Sequence, residues 1–69
     1  MNNITIKIGG YGTLTGDPYV LGALGELAKI ASFTMIQNGE LDGAIKSGFL
    51  YSEILMELHK QFPNDFYPI

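Results

Sequence analysis

The chain contains no cysteine, so neither a disulfide framework nor a thiolate metal site is open to it. It contains no arginine either. Arginine is the side chain that forks onto phosphates and base edges, and a nucleic-acid binder ordinarily carries a basic face. Four lysines stand against seven acids, for a net charge of −3, and this balance argues against duplex DNA or RNA as a partner. The acids are too spread out to imitate a nucleic acid. A lone histidine, His59, cannot build a zinc site unaided, and no metal or other cofactor is expected. The N-terminus is polar rather than a basic region before an apolar run, so no secretory signal is read there. The most apolar window, residues 18–36, holds Glu26 and Lys29 near its middle, which argues against a membrane span. The expectation is a soluble, cytoplasmic protein.

What the chain has is apolar surface. Of its 69 residues 46% are hydrophobic and only 16% charged, too apolar for a disordered segment. The length makes residues 1–69 one small domain, near the lower limit for folding without a staple. That combination points to self-association. The pattern of residues 41–62 strengthens the point. At about 100° per residue, Asp42, Lys46, Glu53, Glu57 and Lys60 fall within a strip roughly 60° wide. Leu41, Ala44, Ile45, Gly48, Tyr51, Leu55, Met56, Leu58 and Phe62 occupy an opposite arc of roughly 200°, against about 100° for an ordinary surface helix. Such a helix needs cover on more than one side.

Taken in order, the chain opens with an alternation. Ile4, Ile6 and Ile8 share one side and Asn3, Thr5 and Lys7 the other, the period of a strand with one buried face. Gly9-Gly10 breaks it, and residues 11–15 read as a second short strand or an extended loop. Residues 3–15 thus form a ribbon or loop that must lie on something else to be stable. Asp17-Pro18 signals a helix start, with a capping carboxylate before a proline at the first helical position. A first helix is predicted over 17–38. Val20, Leu24, Leu27, Ala31 and Met35 form its main apolar face, flanked by Leu21, Ala23 and Ile30. Gly22, Gly25, Ala28 and Ser32 form a neighbouring ridge of small residues, suited to close approach by another helix. Asn38-Gly39 stops this helix, a second is predicted over 40–62, and Pro63 ends it. So short a connection makes the helices antiparallel neighbours. The aromatic tail, residues 63–69, is expected to pack back on the body.

Chemistry-bearing residues are few. His59 is the one ordinary candidate for a general base, and it falls on the apolar side of the second helix, so no enzyme is expected. Glu53 and Glu57 lie four apart but sit among Lys46 and Lys60, as a solvated, charge-balanced strip does. The glycine-rich turn before the first helix matches no phosphate-loop spacing. Lys7, Tyr11, Gly12 and Thr13 around it form the candidate ligand-binding set, for a small anionic or aromatic ligand. Phe33 and Phe49 fall beside charged positions on their helices and are the candidate interaction surface. The ridge and the apolar arc nominate Gly25, Ser32, Gly48, Leu55 and His59 for an oligomer interface.

The order strand, helix, helix with an alternating Ile4–Ile8 start resembles the ribbon-helix-helix DNA-binding fold. That resemblance implies strands paired across a dimer, with Thr5 and Lys7 at the outward, base-reading positions. Here, however, residues 9–17 separate strand from helix where the family uses a few, and the basic surface is missing. Within residues 44–63, the run Ala44-Ile45-Lys46-Ser47-Gly48-Phe49-Leu50 in a helix closing on Pro63 is similar to small phage-encoded anti-CBASS sponge proteins. Those are helical hairpins that oligomerise and trap cyclic oligonucleotide signals. Glu53 stands where that family has a basic residue, and no ligand residue is carried over. The expected fold is mainly α, an antiparallel two-helix hairpin preceded by a short N-terminal β-ribbon and assembled as a homo-oligomer. The expected function is that of a non-enzymatic phage-type inhibitor, sequestering a small cyclic nucleotide or a host protein. The alternative is a dimeric DNA-binding regulator of the ribbon-helix-helix kind.

Overall fold

The computed structural model describes residues 3–66. It is mainly helical, with a two-stranded antiparallel sheet preceding two helices. Strand β1 (Ile4–Ile8) pairs with β2 (Gly12–Gly16), so residues 12–16 form a strand and not a loop. The turn between them closes through Tyr11 N–H donating to Ile8 C=O at 3.0 Å. Gly10 takes a φ of +82° there, which an L side chain adopts only under strain. The alternation sorts the two faces cleanly. Ile6 and Ile8 are buried, with Ile4 and Leu14 packed beside them, while Thr5, Lys7, Thr13 and Thr15 face out.

Helix α1 (Pro18–Gln37) begins at an N-cap. The Asp17 carboxylate accepts from the Tyr19 and Val20 N–H groups at 2.9 and 3.4 Å. It ends in a Schellman turn, with Gly39 N–H on Ile36 C=O at 3.1 Å and Glu40 N–H on Met35 C=O at 2.8 Å. Gly39 takes φ +78° to make that reversal. Helix α2 (Leu41–Gln61) then returns antiparallel, so that Gly22 meets Leu58, Gly25 meets Ile54 and Leu55, and Ser32 meets Ala44.

The core lies where the ribbon bridges the two helices: Ile6, Ile8, Leu21, Ile54, Leu55 and Leu58. Phe66 closes the end of the hairpin, packing on Tyr19 and Phe62 at ring-centroid separations of 5.6 and 6.3 Å. His59 Nδ1 donates to the Phe66 carbonyl at 2.6 Å and holds the tail there. The expectation that the whole tail packs back is met at Phe66; residues 67–69 lie outside the described residues.

One expectation about α1 is reversed. Its face of Val20, Leu24 and Leu27 does not enter the core, and Val20 and Leu27 remain 58% and 61% exposed. The small ridge goes inward instead: Gly22, Gly25 and Ala28 are buried against α2. The reason is distance. A β-carbon added at Gly25 would collide with Leu55 Cδ2 and lie 3.3 Å from Ile54 Cγ2, so any side chain here would have to displace Leu55 for α2 to come this close. Close backbone approach brings Leu58 onto Gly22 and Ile54 and Leu55 onto Gly25, whereas Leu24 and Leu27 would hold the helices apart.

Gly25→Leu should therefore overpack the seam and lower stability by about 1–3 kcal/mol, despite leucine's better helix propensity. Urea denaturation of this variant checks the point. An unchanged or raised midpoint would mean that the ridge faces open space.

Candidate functional site

Four surface features are built on this frame: two apolar stripes and a pair of shallow grooves. On α1, Val20, Leu24, Leu27 and Ile30 are exposed and lie about 130° around the helix from the Gly25 contact. On α2, Leu41, Ile45, Phe49 and Met56 are exposed and lie at a similar angle, roughly 130°, from the α1 contact. The two stripes differ in their surroundings. Glu26 and Lys29 are the only charges on α1, and they pair with one another at 3.8 Å on its other side. The α2 stripe instead runs beside Asp42, Lys46, Glu53 and Lys60.

The first groove, about 210 Å³, lies where the ribbon turn overhangs α2, lined by Tyr11, Lys46, Ser47 and Leu50. The second, about 360 Å³, runs between the helices, lined by Lys29, Ser32, Phe33, Gly48 and Tyr51. Lys29 Nζ stands 5.7 Å from the Tyr51 ring centroid, within reach of the ring's negative face. Ser32 Oγ donates to the Ala44 carbonyl at 2.8 Å, tying this part of the groove to both helices. At Gly48 a β-carbon would meet only Ser32 Oγ, at 3.5 Å, so the floor here is bare backbone. Among the described residues, no group of three or more His, Cys, Asp or Glu side chains is placed to hold a metal ion.

The residues nominated from the sequence are redistributed by the fold. The ligand set divides. Lys7 and Thr13 are cross-strand partners on the outer face of the ribbon, Gly12 sits at the strand start with φ +113°, and Tyr11 turns to the first groove. The five oligomer-interface residues find their partners inside one chain. Gly25 and Leu55 form the closest point of the hairpin, Ser32 bonds to α2 beside Gly48, and His59 holds the tail. Close helix approach explains the relocation, because small residues serve an internal seam as readily as an external one. Phe33 is exposed and forms one wall of the second groove. Phe49, 41% exposed, packs on Tyr11 at a centroid separation of 6.2 Å and has Gly9 beside its ring tip.

Lys29, Lys46, Ser47, Leu50 and Tyr51 were not nominated as site residues from the sequence. Lys29 and Phe33 are one turn apart, as are Gly48 and Tyr51, so each half of the second groove has a visible spacing. Only the register of α1 against α2 joins them. Compared with family models, with curated proteins and with solved structures, the chain matches none.

The Tyr11–Phe49 pair ties the ribbon turn to α2 and should be worth about 0.5–1.5 kcal/mol in a double-mutant cycle. Phe49→Ala should thus fall well short of the roughly 3–5 kcal/mol expected for a buried phenylalanine. Chemical denaturation of Tyr11→Ala, Phe49→Ala and the double variant measures both; strict additivity would exclude the contact.

Proposed function

We propose that this chain is a small non-enzymatic binding protein that assembles with copies of itself and acts as a phage-type inhibitor, sequestering a host protein or a nucleotide signal. One observation carries the reading. Twelve large hydrophobic side chains are exposed among the described residues, more than the eight hydrophobic residues that are buried. Scattered exposed hydrophobics need no explanation, but rows of them along two helices mark contact surfaces.

A host protein suits the α2 stripe. Leu41, Ile45, Phe49 and Met56 lie along one helix face in the spacing by which a helix enters an apolar groove. Their charged flank gives the polar rim of an interface that forms and dissolves. The nucleotide reading rests on the second groove, where Phe33 and Tyr51 supply aromatic surface and Lys29 a cation. Stacking on aromatic rings beside a positive charge is how single bases are held. The regulator alternative is less well supported. β1 is paired with β2 of its own chain, and the outward ribbon face of Thr5, Lys7, Thr13 and Thr15 carries a single cation.

By length and composition alone, α1 is apolar enough to cross a membrane. Packed along it, however, is α2 with Asp42, Lys46, Glu53, Glu57 and Lys60, charges that a span would carry into hydrocarbon at several kcal/mol each. That weighs for protein contact over a transmembrane role.

The melting temperature should rise with protein concentration, because association is linked to folding. A concentration-independent melt together with a monomer mass would overturn the assembly. Thermal shift against cyclic and linear nucleotides separates the two targets. Stabilisation that is lost in Lys29→Gln and Tyr51→Ala favours the nucleotide, and its absence in the wild type leaves the host protein.

A further inference from the structure

The ribbon has two strands and so two outer edges, neither paired with a third strand among the described residues. Which backbone groups stand on those edges follows from the turn. Ile8 C=O accepts from Tyr11 N–H, so the backbone polar groups of Ile8 point across the ribbon. By alternation those of Ile6 and Ile4 do the same. The register sets Leu14 opposite Ile6, and sets Thr13 and Thr15 opposite Lys7 and Thr5. The N–H and C=O groups of Thr13 and Thr15 therefore point away from β1, to the free edge of β2. The 2.9 Å contact between Thr5 Oγ1 and Thr15 Oγ1 agrees, since side chains come closest in pairs that exchange no backbone bonds.

The two edges differ in kind. That of β1 carries Lys7, the sort of charge that guards an edge against pairing. β2 has no charge and no proline, and its sequence, Gly12-Thr13-Leu14-Thr15-Gly16, reads the same in either direction. Thr13 and Thr15 are exposed and Leu14 is half-buried.

We propose that the free edge of β2 pairs antiparallel with β2 of a second copy, about a twofold axis at Leu14, to make one four-stranded sheet. This pairing rests on the self-assembly proposed above and gives it a place and a register. Three observations select a second copy over another extended chain. An antiparallel pair about Leu14 sets residue 13 against residue 15 of the second copy, so the palindrome lays threonine on threonine and glycine on glycine. Threonine opposite threonine is a favourable cross-strand pair, and the chain already uses it at Thr5 and Thr15. This register also gives all four edge groups a partner. Thr13 N–H donates to Thr15 C=O of the second copy, Thr15 N–H donates to its Thr13 C=O, and the same two bonds run in return. Centring the axis on Thr13 or Thr15 would set an edge threonine against Tyr11 or Asp17, outside the strand. Finally, Leu14 meets Leu14 on the core-facing side, which continues the apolar row of Ile4, Ile6 and Ile8 into the second copy. A two-stranded ribbon is marginal by itself, and a four-stranded sheet with one apolar face is not.

Because the chain has no cysteine, introduced thiols report the pairing directly. The two copies of position 14 would be directly opposed, with α-carbons about 4.5 Å apart, within disulfide range. Mild oxidation of Leu14→Cys should therefore give a cross-linked dimer. Lys7→Cys should not cross-link, because its two copies lie three strand spacings, about 14 Å, apart. Mixed Thr13→Cys and Thr15→Cys chains should also link, and they report the register at exposed positions even where Leu14→Cys fails to fold. Thr15→Pro removes an N–H that the ladder with β1 does not use. It should keep the helical circular-dichroism spectrum and sediment as a monomer, where the wild type sediments at twice 7.5 kDa or a multiple of that. A wild type that stays monomeric at all concentrations overturns the assembly itself, and leaves the edge to an extended segment of another protein. An assembled wild type with neither the 14–14 nor the 13–15 link overturns this seam while the assembly stands. Links at position 7, or assembly that survives in folded Thr15→Pro, overturn it equally.

Discussion

The close contact of Gly25 with Ile54 and Leu55 is the constraint on which the rest of the structure depends. Two helices ordinarily pack with their axes 8–10 Å apart, at a distance set by the side chains between them. Here one helix contributes almost no side chain to the middle of the seam. Ile54, Leu55 and Leu58 therefore reach the backbone of α1, and the same residues meet Ile6 and Ile8 of the ribbon on their other flank. A chain this short cannot build two cores, and the glycine ridge lets it build one from a single leucine-rich stretch of α2. The consequence for α1 is rotational. Once its small face is turned inward, its large aliphatic residues must be turned out.

The ribbon and the tail complete what the hairpin leaves open. Ile6 and Ile8 lie over the middle of the seam, Tyr11 extends the ribbon turn to Phe49, and Phe66 covers Gly22 at the far end. Gly22 has the Phe66 ring within 3.0 Å of where a β-carbon would stand, so this second glycine admits the tail as Gly25 admits α2. Neither cover extends to the outward side of α1. The apolar residues left over are thus ordered in rows, because they are what remains of two helices after a single seam and one cap have been formed.

Much of this was legible beforehand. The alternation of Ile4, Ile6 and Ile8, the Asp17-Pro18 start, the Asn38-Gly39 reversal and the Pro63 stop each reflect local chemistry that needs no tertiary partner, and each marks an element boundary in the fold. What was not legible is which side of α1 faces in. A helical wheel ranks faces by apolar size, and on that scale Val20, Leu24 and Leu27 outrank a row of glycine, alanine and serine. The ranking fails when approach distance matters more than side-chain area, and distance is a property of two helices together. The second groove was hidden for the same reason: Lys29 and Phe33 belong to one helix, Gly48 and Tyr51 to the other, and no spacing within either predicts their meeting. Phe49 was read as surface and is half that, since its ring also anchors Tyr11.

The glycine ridge also bears on the order in which the chain acquires structure. Gly22 and Gly25 each cost α1 about 1 kcal/mol of helix propensity relative to alanine, within a single turn of one another. A lone helix of 20 residues is only modestly stable in water even with good formers, and nucleation is its costly step. The N-terminal half of α1 therefore has little persistence by itself and becomes helical as it lands on α2, which has no glycine between Phe49 and Gln61. The glycine-free stretch of α2 is in that sense the firmer partner, against which the start of α1 gains its helical persistence.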